Sequence, residues 1–204
     1  LLLDPETGHG TVLLERASLF RRRAPGTGRE TQLIAANIDT LFIVTSCNHD
    51  FNIARLERFL ALTNEANTTP VIILTKADLT DDPDSYRTQA QSLQPGLVAE
   101  TIDATDTAEV NRLRAWCGLG ETVALAGSSG VGKSTLANTL AGGGLMQPGA
   151  IRAADSEGRH TTSHRQMLRL PGAGWLIDTP GMRELQISDA QDGIDMVFQD
   201  LTDI

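Results

Sequence analysis

"ALAGSSGVGKSTLANTL", residues 124–140, decides the fold. A short apolar run enters a glycine-rich loop, and a lysine and a serine then open a stretch of helix formers. Gly127 through Ser134 spells GxxxxGK[ST]. In this pattern the glycines let successive backbone N–H groups turn inward around phosphate oxygens, and the following helix adds its positive end. The Lys133 ammonium is expected to reach the β and γ phosphates, and the Ser134 hydroxyl to ligate Mg²⁺. Ser128, Ser129, Gly130, Val131, Gly132 and Thr135 complete the candidate nucleotide-binding run.

A second motif lies upstream, in "VIILTKADL", residues 71–79. Thr75, Lys76, Ala77 and Asp78 end an apolar strand, and a carboxylate at Asp78 can accept two hydrogen bonds from guanine N1–H and N2–H₂. Adenine lacks both donors and leaves the carboxylate unpaired. The aliphatic stem of Lys76 can cover the face of the base. Asp103 and Ala104, in "ETIDATD", can offer a backbone N–H to guanine O6. Downstream, Asp178-Thr179-Pro180-Gly181 follows the apolar "GWLI". There Asp178 is expected to hold Mg²⁺ through water, and Gly181 to present its N–H to the γ-phosphate. The order is therefore base reader, O6 loop, phosphate loop, DxxG, which reverses the common GTPase order.

Lysine usage agrees with these assignments. Of 17 Lys and Arg residues only two are lysines, Lys76 and Lys133, one in each motif. A compact ammonium on a flexible stem enters a phosphate pocket that a planar guanidinium does not fit. The chain has 204 residues, 40% hydrophobic and 21% charged, a composition of soluble globular proteins. Its apolar runs are strand-sized, no signal peptide is evident, and the two cysteines, Cys47 and Cys117, are isolated. These features imply a cytoplasmic protein without a membrane span. A net charge of −9 argues against a protein that coats nucleic acid, DNA included. Positive charge is nevertheless clustered at Arg21–Arg23 and Arg29, and again at Arg159, Arg165 and Arg169 beside His160 and His164. Such clusters are either solvated faces or local contacts to RNA phosphate.

Along the chain, residues 1–25 read as the closing strands of a truncated β module and 26–32 as an Arg/Gly/Pro linker. From residue 33 to 200 strands alternate with helices, which predicts a mostly parallel sheet covered on both faces. Helices are expected over "NIARLERFLALTNEA", "DPDSYRTQAQSL", "TAEVNRLRAWC" with Asp106 or Thr107 as its cap, "KSTLANTLAG" and the region near Ala190–Phe198. Both termini read as cut, and 201–204 as the start of a further domain.

With the motifs in this order the chain resembles the circularly permuted GTPases, specifically the RsgA (YjeQ) family of small-subunit biogenesis GTPases. The matching stretches are "AANIDTLFIV", "DFNIARLERFLAL", "PVIILTKADL", "GSSGVGKSTLANTL", "GRHTTSHR" and "DTPGMRELQI". The resemblance implies a permuted P-loop GTPase fold preceded by an OB-type domain, here only its remnant. It implies GTP and GDP as ligands, Mg²⁺ as cofactor, and hydrolysis stimulated by the small ribosomal subunit and its rRNA late in assembly, with a monomer expected. The family's zinc domain is expected after residue 204, so Zn²⁺ is assigned to no residue here. Thr161 or Thr162 of "GRHTT" is implied as a Mg²⁺ ligand in the GTP state. The residue after DxxG is Met182, whose thioether cannot orient water, and His160 matches a family histidine proposed to act instead. For His160 itself, a catalytic role and an exposed or RNA-contacting role stand side by side. An RNA-binding assembly factor that uses GTP as a conformational ligand, with little turnover, is the alternative function.

Overall fold

Apolar residues without interruption, as in "TLFIVTS" and "TPVIILT", suit strands buried on both faces. The computed structural model describes residues 2–4, 6–7, 9–12, 15–23, 31–143 and 166–178. In chain order these form strands β1 (Leu2–Leu3), β2 (Gly10–Val12), β3 (Leu19–Arg23), β4 (Thr31–Ala36) and β5 (Thr40–Ser46). Helix α1 (Ile53–Glu65), β6 (Thr69–Thr75), α2 (Pro83–Gln91), β7 (Val98–Thr101) and α3 (Thr107–Asn111) follow. The last described elements are β8 (Thr122–Ala126), α4 (Lys133–Leu140), β9 (Gln166–Arg169) and β10 (Trp175–Asp178).

Six strands make one sheet in the order β7-β6-β5-β8-β10-β9. All its neighbouring pairs are parallel except β10 with β9. Side chains alternate across it with the period of two that a pleated strand imposes. Leu41, Ile43, Ile72, Leu74, Ala124 and Ala126 enter one core, together with Leu56, Phe59 and Leu60 of α1 and Ala90 of α2. Phe42, Val44, Val71, Ile73, Val123 and Leu125 enter the other, with Val110 of α3 and Leu136, Ala137 and Leu140 of α4. Helices thus cover both faces, as the alternation predicts.

The strand order changes direction between β5 and β8. From β5 the chain steps outward through β6 to β7; it returns to β8 beside β5 and then builds outward on the other side. In open α/β sheets the crevice at such a reversal, at the carboxyl ends of the strands, is where ligands bind. Gly127 follows β8 directly and Cys47 follows β5, so the phosphate loop occupies that crevice.

Two differences from the sequence expectation are informative. The helix expected over "TAEVNRLRAWC" is α3 followed by a 3₁₀ turn at Arg112–Trp116. The tighter turn buries Leu113 and sets Trp116 edge-on to Phe42, with ring centroids 6.2 Å apart. Asp106 is the cap, accepting from the N–H groups of Ala108 and Glu109. The second difference lies at the expected linker, 26–32. Thr31 and Gln32 belong to β4, which pairs antiparallel with β3 from Leu19↔Ala36 to Arg23↔Thr31. Phe20 and Ile34 of this hairpin are buried in the same core as α1. Residues 24–30, the sequence after Asp178, and the expected helix near Ala190–Phe198 lie outside the described residues.

Candidate functional site

The phosphate loop is shaped first by backbone. At Gly127 φ is +138°, and a Cβ there would lie 2.1 Å from the Val44 carbonyl oxygen. No side chain fits, so the loop passes against β5 only because the residue is glycine. Gly132, with φ +96°, is the N-cap of α4. Val131 between them is buried and anchors the loop in the core. Lys133 opens α4, and its ammonium turns back onto the loop. It donates to the Gly127 carbonyl at 2.8 Å and closely to that of Ser128. Ser129, Ser134 and Thr135 are exposed at the mouth, with the two hydroxyls of Ser134 and Thr135 on the first turn of the helix.

The upstream motif is fastened to this loop by two contacts. The Thr75 hydroxyl, fully buried at the end of β6, shares its one proton between the carbonyl oxygens of Val131 at 2.6 Å and Thr45 at 3.0 Å. Thr75 therefore joins the strand ends to the phosphate loop. Lys76 sits in the left-handed region, φ 57°, and its ammonium donates to the Gly130 carbonyl at 3.0 Å. Its stem thus spans the gap between the two motifs. Ala77–Leu79 form a 3₁₀ turn that leaves Asp78 exposed. The pieces that the sequence separates by more than fifty residues are neighbours here.

The Asp103–Ala104 loop closes the same end of the sheet. The Asp103 carboxylate accepts from both the N–H and the hydroxyl of Thr105, which hold its pKa below the usual carboxylate range. Its own N–H donates to Glu109 Oε2 at 2.8 Å. Asp103 is thereby a loop organiser, and Ala104 is the residue of the pair whose N–H has no partner among the described residues. The Ala104 carbonyl accepts from Thr139 of α4 at 2.8 Å, which ties this loop to the phosphate-loop helix.

Asp178 ends β10, one residue beyond the Ile177↔Ala124 pair with β8. The register brings its backbone to the carboxyl end of the strand that feeds the phosphate loop. His160, Thr161, Thr162, Gly181 and Met182 lie outside the described residues.

Sequence reading assigned no role to Asp50 and Arg55. Arg55, in the first turn of α1, donates through Nη1 to Asp50 Oδ1 at 3.0 Å and closely to the Ser128 hydroxyl. Their signal is a cation in the first turn of a helix, where the macrodipole disfavours it. Cys47, beside them after β5, is buried, and burial pushes its thiol up to about 11, with a smaller push from the Asp78 charge. Among the described residues no His, Cys, Asp and Glu group could hold a metal ion by protein ligands alone. No described helix is long and apolar enough to cross a membrane.

The arrangement matches known proteins. Residues 13–188 match the RsgA GTPase family profile. A small ribosomal subunit biogenesis GTPase RsgA from Mesorhizobium japonicum is 55% identical over 207 residues, covering 100% of this chain and 60% of that protein. The protein of the same name from Methanosarcina acetivorans is 43% identical, over 100% of this chain and 56% of its own. The chain therefore spans somewhat more than half the length of these relatives. YjeQ from Thermotoga maritima superposes with a TM-score of 0.63 at 24% identity, over 92% of this chain and 60% of that one. YloQ, described as a circularly permuted GTPase, superposes with a TM-score of 0.54 at 23% identity, over 90% and 62%. A sheet reversing at the glycine-rich loop, a TKAD motif upstream of that loop, and these similarities lead to one conclusion: the chain belongs to the RsgA GTPase family.

Proposed function

We propose that this chain is the nucleotide-binding part of a GTPase that acts on the small ribosomal subunit, and that it hydrolyses GTP to GDP and phosphate. The observation that carries this reading is the joining of the two motifs. Thr75 and Lys76 bond to Val131 and Gly130, so a carboxylate suited to guanine stands a fixed distance from a phosphate cradle. The names of the relatives support the ribosomal partner. Contact with rRNA, a monomeric state and a cytoplasmic location belong to the same reading.

In this mechanism the loop N–H groups and Lys133 bind the phosphates, and Asp78 with the Ala104 N–H orients the guanine edge. Mg²⁺ fits the donors present. Ser134 offers an exposed hydroxyl on the first turn of α4, and Asp178 ends the strand beside β8. Hard oxygen ligands of this kind suit the ion. When bound, it neutralises charge developing on the phosphates. Thr161 or Thr162 would complete its shell, Gly181 would meet the γ-phosphate through its N–H, and His160 would orient water in place of the absent Gln at Met182. Phosphate release measured over many turnovers, with and without small ribosomal subunits, tests the reading. We expect slow basal turnover that the subunit accelerates; His160→Ala should remove the stimulated rate, a loss of about 10²–10⁴-fold, and leave GTP affinity and basal turnover nearly unchanged. Turnover that no subunit accelerates would favour GTP as a conformational ligand of an assembly factor.

A further inference from the structure

We propose that Asp50, Arg55 and Ser128 form a relay that positions the phosphate loop, with Arg55 of α1 as its working member; this rests on the nucleotide-binding reading above. Ser128 is held from two sides. Arg55 Nη1 donates to its hydroxyl, and the Lys133 ammonium donates to its carbonyl. A residue fastened by both side chain and carbonyl has its peptide plane set. The direction of the N–H groups that follow, on Ser129 and Gly130, is set with it. These are groups that the loop turns toward phosphate.

Arg55 is in turn placed by a built loop. Asn48 Oδ1 accepts from the Ser46 hydroxyl at 2.8 Å and from the Asp50 N–H at 2.9 Å. The Phe51 N–H donates to the Asn48 carbonyl, closing the turn. Asp50 Oδ1 then receives Arg55, while its Oδ2 is buried without a partner among the described residues. A carboxylate oxygen left buried is costly, and it persists here beside a guanidinium that also sits against its helix dipole. Both unfavourable placements serve one contact, the one to Ser128. That Arg55 is a positioning residue follows from its acting through Ser128.

The test uses the protein with Mg²⁺, titrated with fluorescent GDP and with a non-hydrolysable GTP analogue, and melted without nucleotide. Arg55→Ala and Ser128→Ala are each expected to weaken both nucleotides by about tenfold, the scale of one charge-assisted hydrogen bond. The double variant should be no worse than either single one, since both cut the same link. Asp50→Asn, which keeps the shape of the turn, should give a smaller loss of the same kind. In Arg55→Ala, phosphate release at saturating GTP should keep a kcat near the wild-type value, because the loop positions the ground state as well as the transition state. The melting temperature should fall only slightly, because the Arg55–Asp50 pair is partly exposed and such pairs add little stability, the buried Asp50 Oδ2 notwithstanding. Additive losses in the double variant, unchanged affinity in Arg55→Ala, or a fall in melting temperature that accounts for the weaker binding would each overturn the relay. Wild-type protein that does not prefer guanine nucleotides sinks the underlying reading. A guanine-selective wild type with an unaffected Arg55→Ala sinks the relay alone.

Discussion

The phosphate loop and the turn proposed to read the base, Ala77–Leu79, are neighbours held in opposite ways. Backbone geometry builds the first: Gly127 passes so close to β5 that a Cβ would meet the Val44 carbonyl at 2.1 Å. Side chains build the second. Thr75 and Lys76 reach across to loop carbonyls, while Asp78 stands exposed in the middle of a short turn. Phosphate is the same in every nucleotide, so its cradle can be made of backbone N–H groups that every residue type but proline supplies. Base choice requires one exchangeable side chain. The comparison implies that damage to the loop's backbone path removes binding of every nucleotide alike, whereas damage to the turn changes what is bound.

The strongest test is Gly127→Ala. Backbone blocks the added methyl, so the loop must move, at a cost of about 1–3 kcal/mol or more. The expected outcome is a lower melting temperature and no measurable binding of GTP or GDP. Binding at wild-type strength would show that backbone geometry is not what builds the cradle. Next is Asp78→Asn, expected to weaken GTP by roughly 10²-fold through two lost charge-assisted hydrogen bonds. It should gain xanthosine triphosphate, whose C2 carbonyl suits an amide donor. Competition titration with both nucleotides reads this directly, and equal loss for the two would remove Asp78 from base reading.

Thr75→Val probes the fastening between the two regions. Its hydroxyl leaves the buried Val131 and Thr45 carbonyls, at a cost of about 1–3 kcal/mol in denaturant unfolding. Base preference should not change, and Thr75→Ser should recover most of the loss. The smallest effect concerns pH. Burial raises the Cys47 thiol from 9.0 to about 11, so the folded state favours the neutral thiol. Its contribution is complete below pH 9 and is lost as pH rises through about 11. Unfolding midpoints of Cys47→Ser should therefore fall less than those of the wild type across that window. Parallel curves would mean that the thiol titrates alike in both states.

The individual motifs were legible because their chemistry is local. GxxxxGK[ST] needs only eight consecutive residues to define its cradle, and "TLFIVTS" announces a strand buried on both faces. The contacts that assemble the site join positions far apart in sequence. Thr75 to Val131 is a separation of 56 residues, and Arg55 to Ser128 one of 73. Neither leaves a periodic trace. Strand β4 is likewise illegible in sequence, because an Arg/Gly/Pro-rich stretch precedes it and its pairing with β3 is what buries Phe20 and Ile34.

Sequence alone thus determined the parallel α/β class, the glycine-rich loop between β8 and α4, and the order that puts the TKAD motif upstream of it, since each is written in a short run with its own geometry. The sheet order, by contrast, is a property of pairing. It sets β8 beside β5 and brings Gly127 against Val44, making a glycine obligatory there. It also brings Arg55 to Ser128 and Lys76 to Gly130. Tertiary structure decided these contacts because side-chain reach is a few ångströms in space, and chain distance says nothing about which residues fall within it.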